Sequence, residues 1–199
     1  MKKPFYFITA TLVGARPHSG RKFLTLGILM LSMLILAACG DDTTTDTAEE
    51  NVMTIANYNV SFTFPSNWKQ EEDQAPYDLQ FGNSKSYASV FAYFKTDLAD
   101  GASPMTLYDV QKDDILSKRT DIKVESEAQI REINGKRIKS GLYTAAADGV
   151  KNSYYCNLIE FGEDADAFAW VIFTALPSDT PHLLDEWDAI LASATWEQP

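Results

Sequence analysis

The sequence predicts an α+β domain in which an antiparallel β-sheet has helices packed on its faces. Three observations support this fold class. Apolar and polar residues alternate with a period of two from Tyr58 to Phe64, which is typical of a half-buried strand. Asn134 and Gly135 separate two strand-like runs, and an Asn-Gly pair in this position favours a tight hairpin. Near the end of the chain, apolar residues including Trp187 recur at helical spacing.

Charge is distributed unevenly along the 199 residues, whose formal net charge is −11. The residues before Cys39 contain five bases and no acid, so the remainder carries 12 Lys and Arg against 28 Asp and Glu, a net charge of −16. A basic head before an acidic body is typical of an exported protein. The acidic body disfavours nucleic acid as a partner, because phosphates bind basic surfaces.

The first 38 residues have the organisation of a secretion signal. Arg21 and Lys22 precede an apolar run from Phe23 to Ala38, which is shorter than the roughly 20 residues of a transmembrane helix. The run ends in small residues and a cysteine. This segment resembles the lipobox of bacterial lipoproteins, formed here by Leu36, Ala37, Ala38 and Cys39.

The lipobox resemblance implies the location of the protein. It implies that residues 1–38 are a signal peptide, that the Cys39 thiol receives a diacylglyceryl group, and that a peptidase cleaves before Cys39. The expected location is the extracytoplasmic face of a bacterial membrane: the outer side of the cytoplasmic membrane, or the periplasm or outer membrane where the cell has one. An uncleaved anchor with an incidental cysteine is the alternative.

A polar, acidic segment follows the lipobox. The run from Gly40 to Val52 lacks the apolar residues that a core requires, so residues 39–52 are predicted to be an acylated cysteine with a disordered tether. A single globular domain is expected over residues 53–199. Calcium capture by the aspartates of the tether would need a fixed cage of oxygen ligands, which a disordered run does not provide.

The remaining elements of the domain follow in chain order. The alternating strand ends at Pro65, and Leu79–Gly82 and Ser86–Lys95 are the next strand-like runs, the second with both faces apolar enough to be covered. A helix is predicted from Ser103 and Pro104 to about Arg119. Four antiparallel strands and a last helix, capped at its start by Thr180 and Pro181, complete the domain. The four strands are expected at 121–133, 136–148, 150–161 and 167–176.

This order of elements resembles the PsbP-like family, which includes photosystem extrinsic proteins, the Ran-binding Mog protein and many bacterial lipoproteins. The most specific pieces are the run from Val60 to Pro65 with Trp68, and the closing helix followed by Trp196. The resemblance spans about residues 53–197. It implies an α/β/α sandwich but no particular activity, because one fold supports many functions.

Side chains suited to catalysis are few. His182 is the one histidine after residue 38, and no nucleophile lies near it in the sequence, so a structural or solvent-facing role is expected. Cys156 alternates in register with Tyr154 and Leu158 and is predicted to be a small buried hydrophobe. The sequence therefore predicts no catalytic residue, no metal site and no cofactor.

The acidic residues offer an alternative chemistry. Glu163, Asp164 and Asp166 place three carboxylates in four residues, but they lack the spacing of an EF-hand loop. Glu71 to Asp73 and Asp113 with Asp114 are adjacent acids, expected to be solvated charge. A surface hydrolase or metal-handling lipoprotein that uses acidic turn residues is therefore the second hypothesis for the function.

Aromatic residues are more numerous than a core of this size requires, and tyrosine is favoured at interfaces. They define a candidate interaction surface: Trp68, Tyr87, Tyr93, Tyr143, Tyr154 and Tyr155. Alternatively, the same side chains line the sheet beneath the helices. The preferred hypothesis is a lipid-anchored, non-catalytic binding or assembly module whose partner is an envelope protein or a small ligand, and a structural or envelope-stress role is a third.

Overall fold

The computed structural model describes residues 50–71, 76–99 and 102–198. Two helices are present, α1 (Pro104–Ser117) and α2 (Thr180–Ser193), together with a 3-10 turn at Lys95–Asp97. The strands are β1 (Glu50–Ile55), β2 (Val60–Pro65), β3 (Lys69–Gln70), β4 (Leu79–Gly82), β5 (Ser86–Phe94), β6 (Thr120–Ile133), β7 (Lys136–Ala147), β8 (Val150–Glu160), β9 (Ala167–Ala175) and β10 (Thr195–Trp196).

The strands form two antiparallel sheets. The larger sheet has seven strands in the order β3-β4-β5-β9-β8-β7-β6, and the smaller has three in the order β1-β2-β10. Helix α1 covers one face of the seven-stranded sheet, while α2 and the small sheet cover the other. The predicted fold class, an antiparallel α+β domain with helices on both faces, is confirmed.

The N-terminal strands differ from the sequence prediction. Val60, Phe62 and Phe64 are completely buried along β2, whereas Tyr58 precedes the strand in a turn that contains Asn59 at a φ of 53°. β1 begins at Glu50 and includes three residues that the sequence assigned to the tether. The polar segment tolerates a strand here because Glu50 and Val52 point outward, on the solvated side of the small sheet.

The predicted hairpin at Asn134 and Gly135 is confirmed. Both residues have positive φ, 50° and 75°, as a two-residue hairpin turn of type I′ requires. Asp148 and Gly149 repeat this arrangement between β7 and β8, with φ of 51° and 80°. These two turns fix the register of the antiparallel run from β6 to β8.

Aromatic stacking holds α2 on the sheet. The Trp187 ring lies 5.3 Å from the Phe173 ring and 6.0 Å from the Tyr155 ring, measured between centroids. Its indole Nε1 donates a hydrogen bond to Ser86 Oγ at 2.9 Å, so the polar atom of this completely buried ring is satisfied. Thr180, predicted as the cap, lies within the first turn of α2, and Asp179 occupies the N-cap position.

No helix among the described residues is long and apolar enough to cross a membrane.

The Trp187→Ala substitution should destabilise the domain by about 3–5 kcal/mol, because it leaves a large cavity between α2 and the sheet. Denaturant unfolding measures this change. Val110→Ala is the control, since Val110 is 49% exposed on α1 and its truncation should cost less than about 0.5 kcal/mol. Equal effects of the two substitutions would contradict the assigned position of α2.

Candidate functional site

The predicted lipidation residues lie outside the described residues. Leu36, Ala37, Ala38 and Cys39, with the signal peptide and the tether up to residue 49, precede β1. Glu72 and Asp73 of the first acidic run are outside the described residues as well. Processing and acylation at Cys39 therefore stay predictions.

The six aromatic residues predicted as an interaction surface do not form one. Trp68, Tyr143, Tyr154 and Tyr155 are between 1% and 8% exposed, and only Tyr87, at 50%, is exposed. Tyr93 is half-buried. The physical reason is strand alternation: Tyr154 and Tyr155 point to opposite faces of β8, and both faces are covered.

On the α1 face of the large sheet, Tyr108, Tyr143 and Tyr154 are buried in the core. The hydroxyls of Tyr108 and Tyr143 lie 3.3 Å apart, and a Cβ added at Gly141 would approach the Tyr108 hydroxyl to 2.5 Å. Burial raises the pKa of both phenols. Cations lie over the rings, Arg119 at 4.4 Å from Tyr154 and Lys139 at 4.6 Å from Tyr108.

On the opposite face, Arg131, Tyr155 and Asp188 form a polar cluster that joins β6, β8 and α2. Arg131 Nη1 donates to Asp188 Oδ2 at 2.6 Å, and Nη2 donates to the Tyr155 hydroxyl at 2.7 Å. That hydroxyl donates to Asp188 Oδ1 at 2.9 Å. Burial raises the pKa of Tyr155 to about 12. The phenol therefore stays protonated near neutral pH and acts as a structural hydrogen-bond partner, not as a base.

Cys156 and His182 occupy the positions expected of structural residues. Cys156 is completely buried and free, and burial raises the pKa of its thiol to about 12. The prediction of a buried small hydrophobe is confirmed. His182 is exposed in the first turn of α2, where its backbone N–H donates to Asp179 O at 3.0 Å.

The acidic turn after β8 is occupied by a lysine of this chain. Lys95 Nζ donates to Glu163 O at 2.8 Å and to Gly162 O at 3.4 Å, and Lys95 N donates to Asp166 O at 2.7 Å. The Gly162 and Glu163 carbonyls of this turn therefore already contact an ammonium. Within the described part of the chain, no three His, Cys, Asp or Glu side chains are placed to hold a metal ion.

Two open cavities lie around the edges of the sandwich, both on the α2 side. The first, of about 390 Å³, is lined by Asn51, Met53, Ser66, Trp68, Lys69, Gln70 and Phe81. The side-chain amide of Asn51 is already engaged, because its Nδ2 donates to Trp68 O at 3.3 Å. The second, of about 300 Å³, is lined by Asn134, Lys136, Phe161, Ala192, Ala194, Thr195 and Trp196.

Lys136 distinguishes the second cavity. The residue is only 7% exposed, and its Nζ donates to Ala192 O and Ala194 O, both at 2.6 Å. These carbonyls end α2, where the helix dipole favours a cation. Burial lowers the pKa of Lys136. Sequence reasoning missed this residue, although the alternation of β7 signals it: Lys136, Ile138 and Ser140 share the covered face.

No protein-family model matches the chain, and no curated protein matches its sequence. Solved structures do match. The cyanobacterial PsbP protein (CyanoP) of Synechocystis superposes with a TM-score of 0.57 at 11% identity, over 81% of this chain and 99% of CyanoP. The domain has a PsbP/Mog1-like fold.

Two further structures share this PsbP/Mog1-like fold. LpqN of Mycobacterium tuberculosis, involved in cell envelope biogenesis, has a TM-score of 0.56 at 10% identity, over 75% of this chain and 91% of LpqN. The Ran-binding protein Mog1p of Saccharomyces cerevisiae has a TM-score of 0.54 at 10% identity, over 75% of this chain and 96% of Mog1p. At these identities the likeness establishes the fold alone.

The raised pKa of Tyr155 predicts an alkaline loss of stability. Protonation favours the folded state, so this contribution is complete below the ordinary phenol pKa of 10 and is lost as the pH rises through about 12. When the pH is raised from about 9 to about 11.5, the free energy of unfolding should fall in both proteins. The fall in Tyr155→Phe should be about 1–2 kcal/mol smaller than in the wild type. Denaturant midpoints at both pH values measure it.

The control for that measurement is Tyr87→Phe, which removes a hydroxyl from an exposed ring. The unfolding free energy of Tyr87→Phe should depend on pH as that of the wild type does. If Tyr155→Phe also follows the wild type, the assignment of the alkaline loss of stability to Tyr155 is contradicted.

The buried thiol predicts slow modification of Cys156. A thiol reagent should modify Cys156 in the native protein at least about 10³-fold more slowly than in the unfolded protein, because modification requires opening of the sheet. Peptide mass spectrometry identifies the modified residue. A cysteine introduced as Ser84→Cys at an exposed turn should react rapidly in the native state. Comparable native rates at residues 84 and 156 would refute the burial of Cys156.

Proposed function

We propose that the protein is a lipid-anchored, non-catalytic binding or assembly module on the extracytoplasmic face of a bacterial membrane. The observation that carries this proposal is the order of Leu36, Ala37, Ala38 and Cys39 after a basic, apolar leader and before an acidic segment. A diacylglyceryl group on Cys39 supplies two acyl chains, and two chains suffice for stable attachment where one binds weakly.

The predicted tether would set the distance between the proposed anchor and the domain. Ten residues separate Cys39 from Glu50, the first residue of β1. A flexible chain of this length has a root-mean-square reach of about 15–20 Å and a maximal reach of about 35–40 Å. The domain would therefore stay within about its own diameter of the membrane surface, where it meets other envelope components.

The chemistry of the described side chains supports binding instead of catalysis. Tyr155 and Cys156 are held protonated by burial, and the ammonium of Lys95 contacts the carbonyls of the acidic turn. The phenol of Tyr155 and the thiol of Cys156 therefore serve the fold. Two open cavities on the α2 side and the exposed strand β6 offer surfaces to a partner.

The structural relatives agree with this proposal at the level of the fold. LpqN is described as involved in cell envelope biogenesis, and Mog1p as a Ran-binding protein. A PsbP/Mog1-like domain thus serves as a binding module in one relative and in envelope biogenesis in another. For this chain, an envelope protein or a small ligand is the proposed partner.

Substitution of the lipobox cysteine tests the anchor. The Cys39→Ala variant should accumulate as an unprocessed precursor without acylation, because the thiol is the acceptor of the diacylglyceryl group. Membrane fractionation, intact mass and labelling with a radioactive fatty acid measure these changes. Cys156→Ala is the matched control and should be processed and retained like the wild type. A Cys39→Ala protein that is still processed and membrane-bound would refute the lipid anchor.

A further inference from the structure

Lys136 places a buried positive charge at the floor of the second cavity. The ammonium has two hydrogen-bond acceptors, the carbonyls of Ala192 and Ala194, each at 2.6 Å. A lysine ammonium carries three N–H donors. Lys136 lines the cavity, and its third N–H donor is left for an acceptor there.

The charge of this ammonium has no carboxylate counter-ion among residues 50–71, 76–99 and 102–198. Its described partners are neutral carbonyls, and burial alone shifts its pKa, downward. The neighbouring Arg137 differs, because its Nη1 pairs with Glu160 at 2.9 Å. A buried charge without a counter-ion is costly, and the partial charge of a helix end offsets only part of that cost. An anion in the cavity would offset the rest of the cost of burying the Lys136 charge.

The walls of the cavity select what kind of anion fits. Phe161, which follows β8, and Trp196, on β10, present half-buried aromatic side chains. Asn134 lines the cavity at the β6–β7 turn, where its Nδ2 already donates to Ala192 O at 3.4 Å. A volume of about 300 Å³ lies at the lower end of the range for small-molecule sites. One charged donor with aromatic walls matches a small carboxylate on an apolar, planar body better than a multiply charged phosphate.

We propose that the cavity at the end of α2 is a binding site for a small carboxylate with an apolar body, whose carboxylate accepts a hydrogen bond from Lys136 Nζ while its body lies between Phe161 and Trp196. This inference deepens the proposed function by naming a ligand class for the binding module. A free organic acid and the C-terminal carboxylate of a polypeptide share this chemistry.

A titration with two matched probes tests the site. Phenylacetate carries the carboxylate, whereas phenylacetamide has the same shape without the charge. Trp196 serves as the reporter, because it is half-buried in the cavity while Trp68, Trp170 and Trp187 are at most 1% exposed. On the full chain in detergent, phenylacetate should change the Trp196 emission saturably at about millimolar concentration or below. Phenylacetamide should bind at least about 10-fold more weakly.

Two variants locate the binding. Lys136→Met keeps the apolar stem of the side chain and removes the charge, so phenylacetate affinity should fall at least about 10-fold. Lys69→Met is the matched control: it removes a lysine that lines the first cavity and should leave binding unchanged. Since Lys136→Met also removes contacts to the end of α2, Phe161→Ala provides a second test. It keeps those contacts and should weaken phenylacetate severalfold by removing one wall.

The outcomes separate the alternatives. Equal affinities for phenylacetate and phenylacetamide, or no saturable change with either in the wild type, would overturn the proposal and leave Lys136 as a cap of α2. Weaker binding in Phe161→Ala with an unchanged thermal midpoint supports it even if Lys136→Met fails to fold. N-acetylphenylalanine binding more tightly than phenylacetate would assign the site to polypeptide C-termini, and the reverse order would assign it to free organic acids.

The failure of this site is distinguishable from the failure of the lipid anchor. The titration reads the tryptophan emission and its dependence on Lys136, whereas the anchor is read by processing and acylation at Cys39. A membrane-retained, acylated protein that does not distinguish phenylacetate from phenylacetamide would refute the ligand and keep the anchor.

Discussion

The stack of Trp187 on Phe173 and Tyr155 is the contact on which the α2 side of the domain depends. It docks the middle of α2 on β8 and β9, and the remaining contacts of the helix follow from that position. Asp188 reaches Arg131 on β6, Glu186 accepts a hydrogen bond from the Trp68 indole at 2.7 Å, and Ser193 Oγ accepts one from Thr63 N at 3.0 Å. At the end of α2, two carbonyls accept hydrogen bonds from Lys136. The docking of Trp187 therefore positions the Arg131–Asp188 ion pair, the contacts of α2 with the small sheet, and the cavity that Lys136 lines.

Because helices and a second sheet cover both faces of the large sheet, a partner that binds the sheet itself would have to reach one of its edges. β6 is one edge, and its pairing with β7 is irregular at three places between Thr120 and Gln129. Asp121 there has a φ of 53°. Such irregularities twist an edge strand away from regular pairing with another chain. The opposite edge, β3, has only two residues. The perimeter thus favours the open cavities over the strand edges as binding sites.

The predicted membrane attachment and the proposed binding site depend on different kinds of information. The attachment is predicted from one linear segment, through its charge, its apolar length and one cysteine. The proposed site depends on groups that the fold brings together from distant segments, as at Lys136, which is 56 residues from Ala192. The likeness to CyanoP, LpqN and Mog1p, at 10–11% identity, extends to the backbone fold alone.

The sequence by itself determined the fold class, the hairpin at Asn134 and Gly135, the apolar stripe of α2 and the burial of Cys156, because each depends on local periodicity or on the backbone freedom of one turn. It did not determine β1 or β10, which are short strands formed by pairing with β2 and carry little local signal. It left open whether Trp68 and Tyr155 form an interaction surface or line the sheet beneath the helices, since composition alone does not show which layer covers a strand face. Only the tertiary structure decided that these rings are core and that Lys136 is buried, because α2 must pack on the sheet before its last carbonyls can accept hydrogen bonds from Lys136 Nζ.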